Sequence, residues 1–277
     1  MFTDMMTLTK FVATENGPPI HIIPGELFHI GGFAITNSML YGAICSLLIL
    51  VLLITVARRM TVKPKRGFFQ LVEIGTDFII NTIENSMGSR EKAVRYAPFF
   101  ASAFFFVLFS NWLGLLPGVG EAIKYSGHPV FRPFTADLNG TLAASTIMII
   151  MVQYFTIRES GFKGYIRHYF AGSLKNPATY LLGLFEMFSE LTRIGSLALR
   201  LFLNVAIGEI IIAIFAYLGS FAAPITALPF VVLELFVGAL QAYIFTMLTI
   251  MYLTAAIKHD HGSAESVSAM TGEATTA

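Results

Sequence analysis

Long apolar runs, separated by short polar segments, dominate the pattern along the chain. A helix needs roughly 20 apolar residues to cross a bilayer core about 30 Å thick. The runs predict spans at about 35–57, 96–116, 139–157, 180–218 and 228–257. The sequence therefore predicts an all-α polytopic membrane protein with five transmembrane helices, forming a single membrane domain over residues 35–259.

Residues 67–87, between the first two spans, follow a different pattern. Apolar side chains such as Phe68, Leu71 and Ile74 recur at helical spacing, with acidic residues interspersed. An amphipathic helix of this kind lies in the plane of the membrane interface more readily than it crosses the bilayer. We expect one interfacial helix here.

The last two runs are unusually long. Residues 180–218 contain no proline and no turn dipeptide, and at 1.5 Å per residue they would extend about 58 Å, nearly twice the bilayer core. The run at 228–257 is also too long for an upright span, and residues 219–224 supply a turn between the two. This pattern predicts a hairpin of two long, tilted helices.

Basic residues in the loops predict the orientation. With the N-terminus outside, residues 57–95, 158–179 and the C-terminus are cytoplasmic and hold eight, four and one Lys or Arg, whereas the outer segments hold three. Cytoplasmic loops carry such an excess. Residues 1–34 are thus an expected extracytoplasmic segment, and residues 260–277, rich in Ser, Ala, Thr and Glu, are an expected disordered cytoplasmic tail.

Composition excludes several classes of protein. Hydrophobic residues make up 55% of the chain and charged residues 13%, against about a quarter charged in soluble domains. The net charge of +1 and the absence of a basic patch argue against a nucleic-acid partner. No phosphate-binding loop or metal-ligand spacing occurs, so we expect no cofactor and no metal site.

Charged residues inside the long hairpin are the main functional signal, because each costs about 2.5–3.5 kcal/mol at the centre of a membrane helix. At 100° per residue, Ser196 and Asn204 share a face with Arg200, and Glu209 points to the opposite side. Glu234 and Gln241 are seven residues apart and share a face of the last helix. The polar residues considered in the hairpin are Glu186, Glu190, Arg193, Ser196, Arg200, Asn204, Glu209, Glu234 and Gln241.

Structural explanations exist for most of these residues. Glu186, Glu190 and Arg193 lie near the cytoplasmic end, where they could snorkel or pair along the helix. Asn204 and Gln241 could join two helices by hydrogen bonds, and Glu209 could be a neutral packing acid. Arg200 is different, because it is always charged and stands in mid-helix between two leucines.

Two other functions would also place charges in a membrane. A secondary transporter is expected to show internal repeats and broken helices, and neither is visible. An intramembrane hydrolase needs a nucleophile with a base or metal ligands. No histidine occurs between His168 and His259, so the long hairpin offers no imidazole base.

Four segments between about residues 95 and 255 carry distinctive motifs. The most specific is SLALRLFLN at 196–204, followed by Gly208-Glu209. The others are SNWLGLLPG at 110–118, PFTADLNGTLA at 133–143 and LQAYIFTMLTIMYL at 240–253. Together these segments resemble subunit a of F-type ATP synthases. The resemblance implies a non-catalytic, proton-translocating stator subunit in an energy-transducing membrane, such as a bacterial plasma membrane. It implies as partners a c-subunit ring, peripheral-stalk b subunits, the rest of the ATP synthase, lipid and protons.

The resemblance also implies roles for individual residues. Arg200 matches the essential arginine facing the c-ring. Leu203 stands where the family commonly has glycine, and Ile194 stands where it often has proline. Both 209 and 234 are glutamate where many members have one histidine, which leaves open which residue accepts the proton first. The positions matching polar residues of the proton path are Asn204, Glu209, Glu234 and Gln241, with Ser196 and Glu186 as less critical positions.

Overall fold

Six helices account for most of the chain in a computed structural model, which describes residues 25–30, 33–59, 67–116, 119, 124–125, 128–129, 131–169 and 177–271. Five of them are long and apolar enough to cross a membrane, which confirms the predicted all-α polytopic fold. The helices are α1 (Asn37–Arg59), α2 (Phe68–Met87), α3 (Arg90–Gly114), α4 (Leu138–Tyr169), α5 (Pro177–Gly219) and α6 (Ala223–Thr271).

The two long helices occur as the sequence predicts. Helix α5 has 43 residues without interruption, and α6 has 49 with Pro229 near its start. A short 3₁₀ turn at Ser220–Ala222 joins them. A helix the length of α5 extends about 64 Å, so in a bilayer it must tilt or protrude. The tilt itself stays a prediction.

Helix α6 ends later than the sequence predicts. It continues through Thr271, into the segment that we expected to form a disordered tail from residue 260. Beyond the membrane span this segment is rich in alanine, serine and glutamate and contains no proline, so nothing in it forces the helix to stop. Residues 272–277 lie outside the described residues.

Helix α2 coincides with the predicted amphipathic helix at 67–87. It begins after Gly67, and it ends at Gly88, whose left-handed backbone (φ 71°) lets its N–H donate to the carbonyl of Glu84 at 2.7 Å. Glycine adopts this conformation without steric cost, and it commonly ends helices in this way. The interfacial location of α2 remains a prediction.

The structure contains two short hairpins that the sequence did not predict. The first precedes α1, and the second follows α3. Strands β1 (Glu26–Ile30) and β2 (Phe33–Thr36) pair antiparallel, as do β3 (Lys124–Tyr125) and β4 (His128–Pro129). The first hairpin begins in the predicted segment 1–34, of which residues 1–24, 31 and 32 lie outside the described residues, and it runs two residues into the predicted first span, to Thr36. Asn37 ties it to α1, because the Asn37 side chain accepts a hydrogen bond from the Gly25 N–H at 3.2 Å.

The helices contribute to two compact units. Unit one comprises the described parts of Met1–Ile54, Phe106–Thr141 and Arg200–Ala242. Unit two comprises those of Thr55–Phe105, Leu142–Leu199 and Tyr243–Ala277. Each has its own buried core.

In unit one, α1 and α4 both pack against Phe134. A methyl group added to Gly42 or Gly140 would collide with its ring, so both glycines are needed for the close approach of these helices to Phe134. Small residues at helix contacts are typical of membrane proteins, where packing replaces the hydrophobic effect. Nearby, the Tyr41 hydroxyl donates to the Leu113 carbonyl at 2.7 Å, and the Ser38 hydroxyl donates to the carboxylate of Asp137.

Aromatic contacts and an ionic cluster hold α3 against α4 in unit two. The rings of Tyr96 and Phe99 lie 5.0 and 5.4 Å from that of Phe155. The carboxylate of Glu159 accepts a hydrogen bond from the Tyr96 hydroxyl and lies 3.3 Å from the ammonium of Lys92. These contacts join α3 to α4.

Candidate functional site

Unit one contains five of the seven residues that the sequence analysis singled out. Helix α5 supplies Arg200, Asn204 and Glu209, and α6 supplies Glu234 and Gln241. All five stand on the two long, continuous helices, so their positions along each axis are fixed by backbone hydrogen bonds. The contacts between α5 and α6 decide which of them meet.

Arg200 is exposed, and it makes no hydrogen bond or ion pair with any residue that the structure describes. On the same helix, Leu203 and Ile207 are also exposed, with 47% and 52% of their surface accessible. The inward face instead carries buried Leu201 and Val205. Arg200 therefore places a permanent positive charge on an apolar outer face of α5, with no anion beside it among the described residues.

Asn204 and Gln241 contact each other across the hairpin. The Asn204 Nδ2 donates to the Gln241 Oε1 at 3.4 Å, and the Gln241 side chain is only 3% exposed. This contact joins the two helices, as one of the two interpretations of the sequence proposed. The same bond places both amides next to each other between Arg200 and the acidic residues.

Glu234 is buried, at 6% exposure, and its carboxyl packs directly onto the backbone of Gly208. A methyl group on Gly208 would overlap both carboxyl oxygens. Glu209, the next residue, is half-buried. The hairpin thus brings the carboxyl of Glu234 beside the residue that precedes Glu209, a proximity that spacing along either helix could not predict.

Two residues of α3, which the sequence analysis did not propose for the site, fix the same segment of α6. The Trp112 Nε1 donates to the Leu235 carbonyl at 3.0 Å, and the Asn111 Nδ2 donates to the Gly238 carbonyl at 3.2 Å. Leu235 and Gly238 lie between Glu234 and Gln241. One feature of the sequence could have identified them: an asparagine and the chain's one tryptophan stand side by side at the end of an apolar run.

The remaining polar residues of α5 belong to unit two. Ser196 is exposed, whereas the side chain of Glu186 lies outside the described residues. Glu190 accepts a hydrogen bond from Gln153 of α4, and the guanidinium of Arg193 lies 5.2 Å above the ring of Tyr252. These contacts favour packing roles for Glu190 and Arg193.

The fold and these residues define a polytopic membrane protein that carries ionisable side chains inside its long helices, a class in which such residues mark ion paths. The family model described as ATP synthase A chain matches residues 39–254. The chain therefore belongs to the ATP synthase A chain family, and it is a multi-pass subunit of the ATP synthase complex in an energy-transducing membrane.

Individual relatives agree with the family match. The chain is 33% identical over 241 residues to the ATP synthase subunit a of Moorella thermoacetica, which covers 87% of this chain and 99% of the relative. It is 32% identical over 250 residues to that of Syntrophobacter fumaroxidans, covering 87% and 93%. It is 36% identical over 187 residues to the ATP synthase subunit a of Sulfurihydrogenibium sp., which covers 68% of this chain and 81% of the relative.

Proposed function

We propose that the chain is the proton-translocating stator of a rotary F-type ATP synthase. It forms two half-channels against a ring of c subunits and couples proton flow to rotation and ATP synthesis. The observation that carries this proposal is Arg200, an exposed guanidinium without a partner in the described part of the chain. A carboxylate on a neighbouring rotor subunit supplies the missing anion.

Arg200 controls the ionisation of the rotor carboxyl. A carboxyl group enters lipid only when it is protonated, because desolvating its anion costs several kcal/mol. Next to the guanidinium the anion is stabilised, so the proton leaves there. Because Arg200 never loses its own proton, a rotor carboxyl beside it stays ionised and carries no proton past it. Arg200 therefore also separates the two half-channels.

The other polar residues form the route to and from the rotor. Glu209 and Glu234 exchange protons with water and with the rotor carboxyl, while Asn204 and Gln241 orient the hydrogen bonds near Arg200. Ser196 and Glu186 are less critical polar positions near the same path. The buried position of Glu234, beside Gly208, supports its part in this path, because a carboxyl there is shielded from bulk water.

Energy conversion requires partners beyond this chain. A proton that crosses 100 mV releases about 2.3 kcal/mol, which is too little for one ATP, so several protons must be combined through rotation. The c-ring does this, and the b subunits of the peripheral stalk hold the stator against the catalytic head. The chain itself makes or breaks no covalent bond. The excess of basic residues in alternate loops supports an N-terminus outside and a C-terminus in the cytoplasm.

Purification of the tagged chain in mild detergent tests the proposal. We expect a ring of small carboxyl-bearing subunits and the catalytic head to copurify. The purified complex, reconstituted in liposomes, is expected to acidify the lumen when ATP is added outside. A complex prepared without this chain should hydrolyse ATP without acidification. Equal acidification with and without the chain would refute its role in proton translocation.

Replacing Gly208 by alanine should displace the carboxyl of Glu234. The added methyl group collides with the flexible end of that side chain rather than with backbone, so the helices stay in place while the carboxyl moves. We expect ATP-driven acidification to slow about tenfold, less than the loss of a proton-transferring group.

Gly195→Ala on the same helix is the matched control for this change. Outside the backbone of its own helix, no atom of the described residues lies within 4 Å of the added methyl group. It should pump like the wild type. Adding Glu234→Asp to Gly208→Ala should restore part of the rate, since aspartate is shorter by one methylene. A wild-type rate in Gly208→Ala would show that the position of this carboxyl is unimportant.

A further inference from the structure

Two buried amides in unit one each have one satisfied and one unsatisfied end. Asn111, 4% exposed, donates to the Gly238 carbonyl, but its Oδ1 has no hydrogen-bond partner among the described residues. Gln241, 3% exposed, accepts from Asn204, but its Nε2 has no such partner there either. One group is an acceptor and the other is a donor.

Leaving such groups unpaired is costly. A buried polar atom without a hydrogen bond destabilises the fold by about 1–3 kcal/mol, because it has lost its hydrogen bonds to water. Buried waters typically satisfy these groups, provided that the site offers at least two polar partners. An acceptor on Asn111 and a donor on Gln241 fit the two sides of one water molecule.

Helix geometry places the two groups near each other. Asn111 is anchored at Gly238, and Gln241 follows three residues later, about 4.5 Å along the axis of α6 and about 60° around it. The missing side chain of Gly238 allows this approach, because a methyl group there would come within 3.2 Å of the Asn111 Cβ. No direct hydrogen bond joins the Asn111 Oδ1 and the Gln241 Nε2, since neither atom has a partner among the described residues, and one water molecule can bridge such a pair.

We propose that a water molecule bound between the Asn111 Oδ1 and the Gln241 Nε2 is part of the proton path, and that Asn111 is its positioning residue. This inference rests on the proposed function. The bound water extends the hydrogen-bonded pair of Asn204 and Gln241 towards α3. It accepts a proton on one lone pair and releases another, so neither amide changes its protonation state.

ATP-driven acidification by the reconstituted complex tests this role. Asn111→Leu keeps the branched shape of the side chain but removes both the acceptor and the bond donated to the Gly238 carbonyl. It should slow acidification about tenfold, less than the loss of a group that itself transfers protons. Ser102→Ala is the control on the same helix, because it removes one side-chain hydrogen bond of α3, to the Pro98 carbonyl, and leaves the amide in place. It should pump within about twofold of the wild type, since one such bond contributes only about 0.5–1.5 kcal/mol.

A conservative change separates loss of function from loss of assembly. Asn111→Asp is nearly isosteric and keeps an oxygen at the position that binds the water. We expect it to assemble and to pump at least about threefold faster than Asn111→Leu. A difference of this size is within the energetic contribution of one bridging water. Equal rates for the Asp and Leu variants would overturn the inference.

A double-mutant cycle with Gln241→Leu tests the shared water directly. If one water serves both amides, the double variant should be no slower than the slower single variant. Independent, multiplicative losses would refute the bridge while leaving Gln241 in the path. Gln241→Leu with a wild-type rate would instead refute the path itself, and with it the proposed function. These outcomes therefore distinguish the two proposals.

Discussion

Complexes carrying Arg200→Ala are expected to lose ATP-driven acidification entirely while still assembling. Without the guanidinium, no fixed charge stabilises the rotor carboxylate, so the ring cannot release its proton at the stator. Protonated rotor sites should also pass the stator unopposed, which predicts a passive proton leak through the membrane sector. Acidification in inverted vesicles and the decay of an imposed pH gradient measure the two effects.

Two variants show whether the effect belongs to this arginine. Arg200→Lys keeps a positive charge but loses the planar, permanently protonated group. We expect severe impairment, because a lysine enclosed in the membrane between stator and rotor loses its proton more readily than an arginine. Arg193→Ala removes an arginine from the same helix, seven residues earlier, where it packs over Tyr252. It should pump at close to the wild-type rate. Equal loss in Arg193→Ala would mean that charge on α5 matters only for assembly.

Replacing the two acids by glutamine should produce the second-largest effect. Glu209→Gln and Glu234→Gln are near-isosteric, and an amide cannot carry a proton between water and the rotor. Each single variant should slow acidification by about 100-fold or more, the range typical of a lost acid or base group. ATP hydrolysis by the detached catalytic head should not change.

Glu190→Gln provides the control for the acid variants. This carboxyl accepts a hydrogen bond from Gln153 in unit two, and we have assigned it a packing role. Its rate should stay near that of the wild type. A double variant of Glu209 and Glu234 that still acidifies vesicles normally would reduce both residues to packing groups.

The sequence predicted the elements of the fold because hydropathy and helical periodicity are local properties. Five apolar runs gave five helices, and the lack of a breaker in residues 180–218 gave the uninterrupted α5. The ends were less predictable. Helix α3 begins at Arg90 rather than near residue 96, because its polar first turns continue the backbone hydrogen bonds beyond the apolar run.

The candidate site was predictable only along each helix. The step of 100° per residue grouped Arg200 with Asn204 and separated Glu209 from both. The position of Glu234 against Gly208 depends on how α5 and α6 pack, and no spacing within one helix encodes it. The bond from Asn111 to Gly238 joins residues 127 positions apart, so it too required the folded chain.

ATP synthesis in liposomes is the most direct test of the claim that Arg200 couples proton flow to rotation. Complexes with wild-type chain, Arg200→Ala and Arg193→Ala are reconstituted at equal density, and a pH gradient with a membrane potential is imposed. The wild type and Arg193→Ala should make ATP, and Arg200→Ala should make none above the uncoupled background. Synthesis by Arg200→Ala at near the wild-type rate would contradict the account.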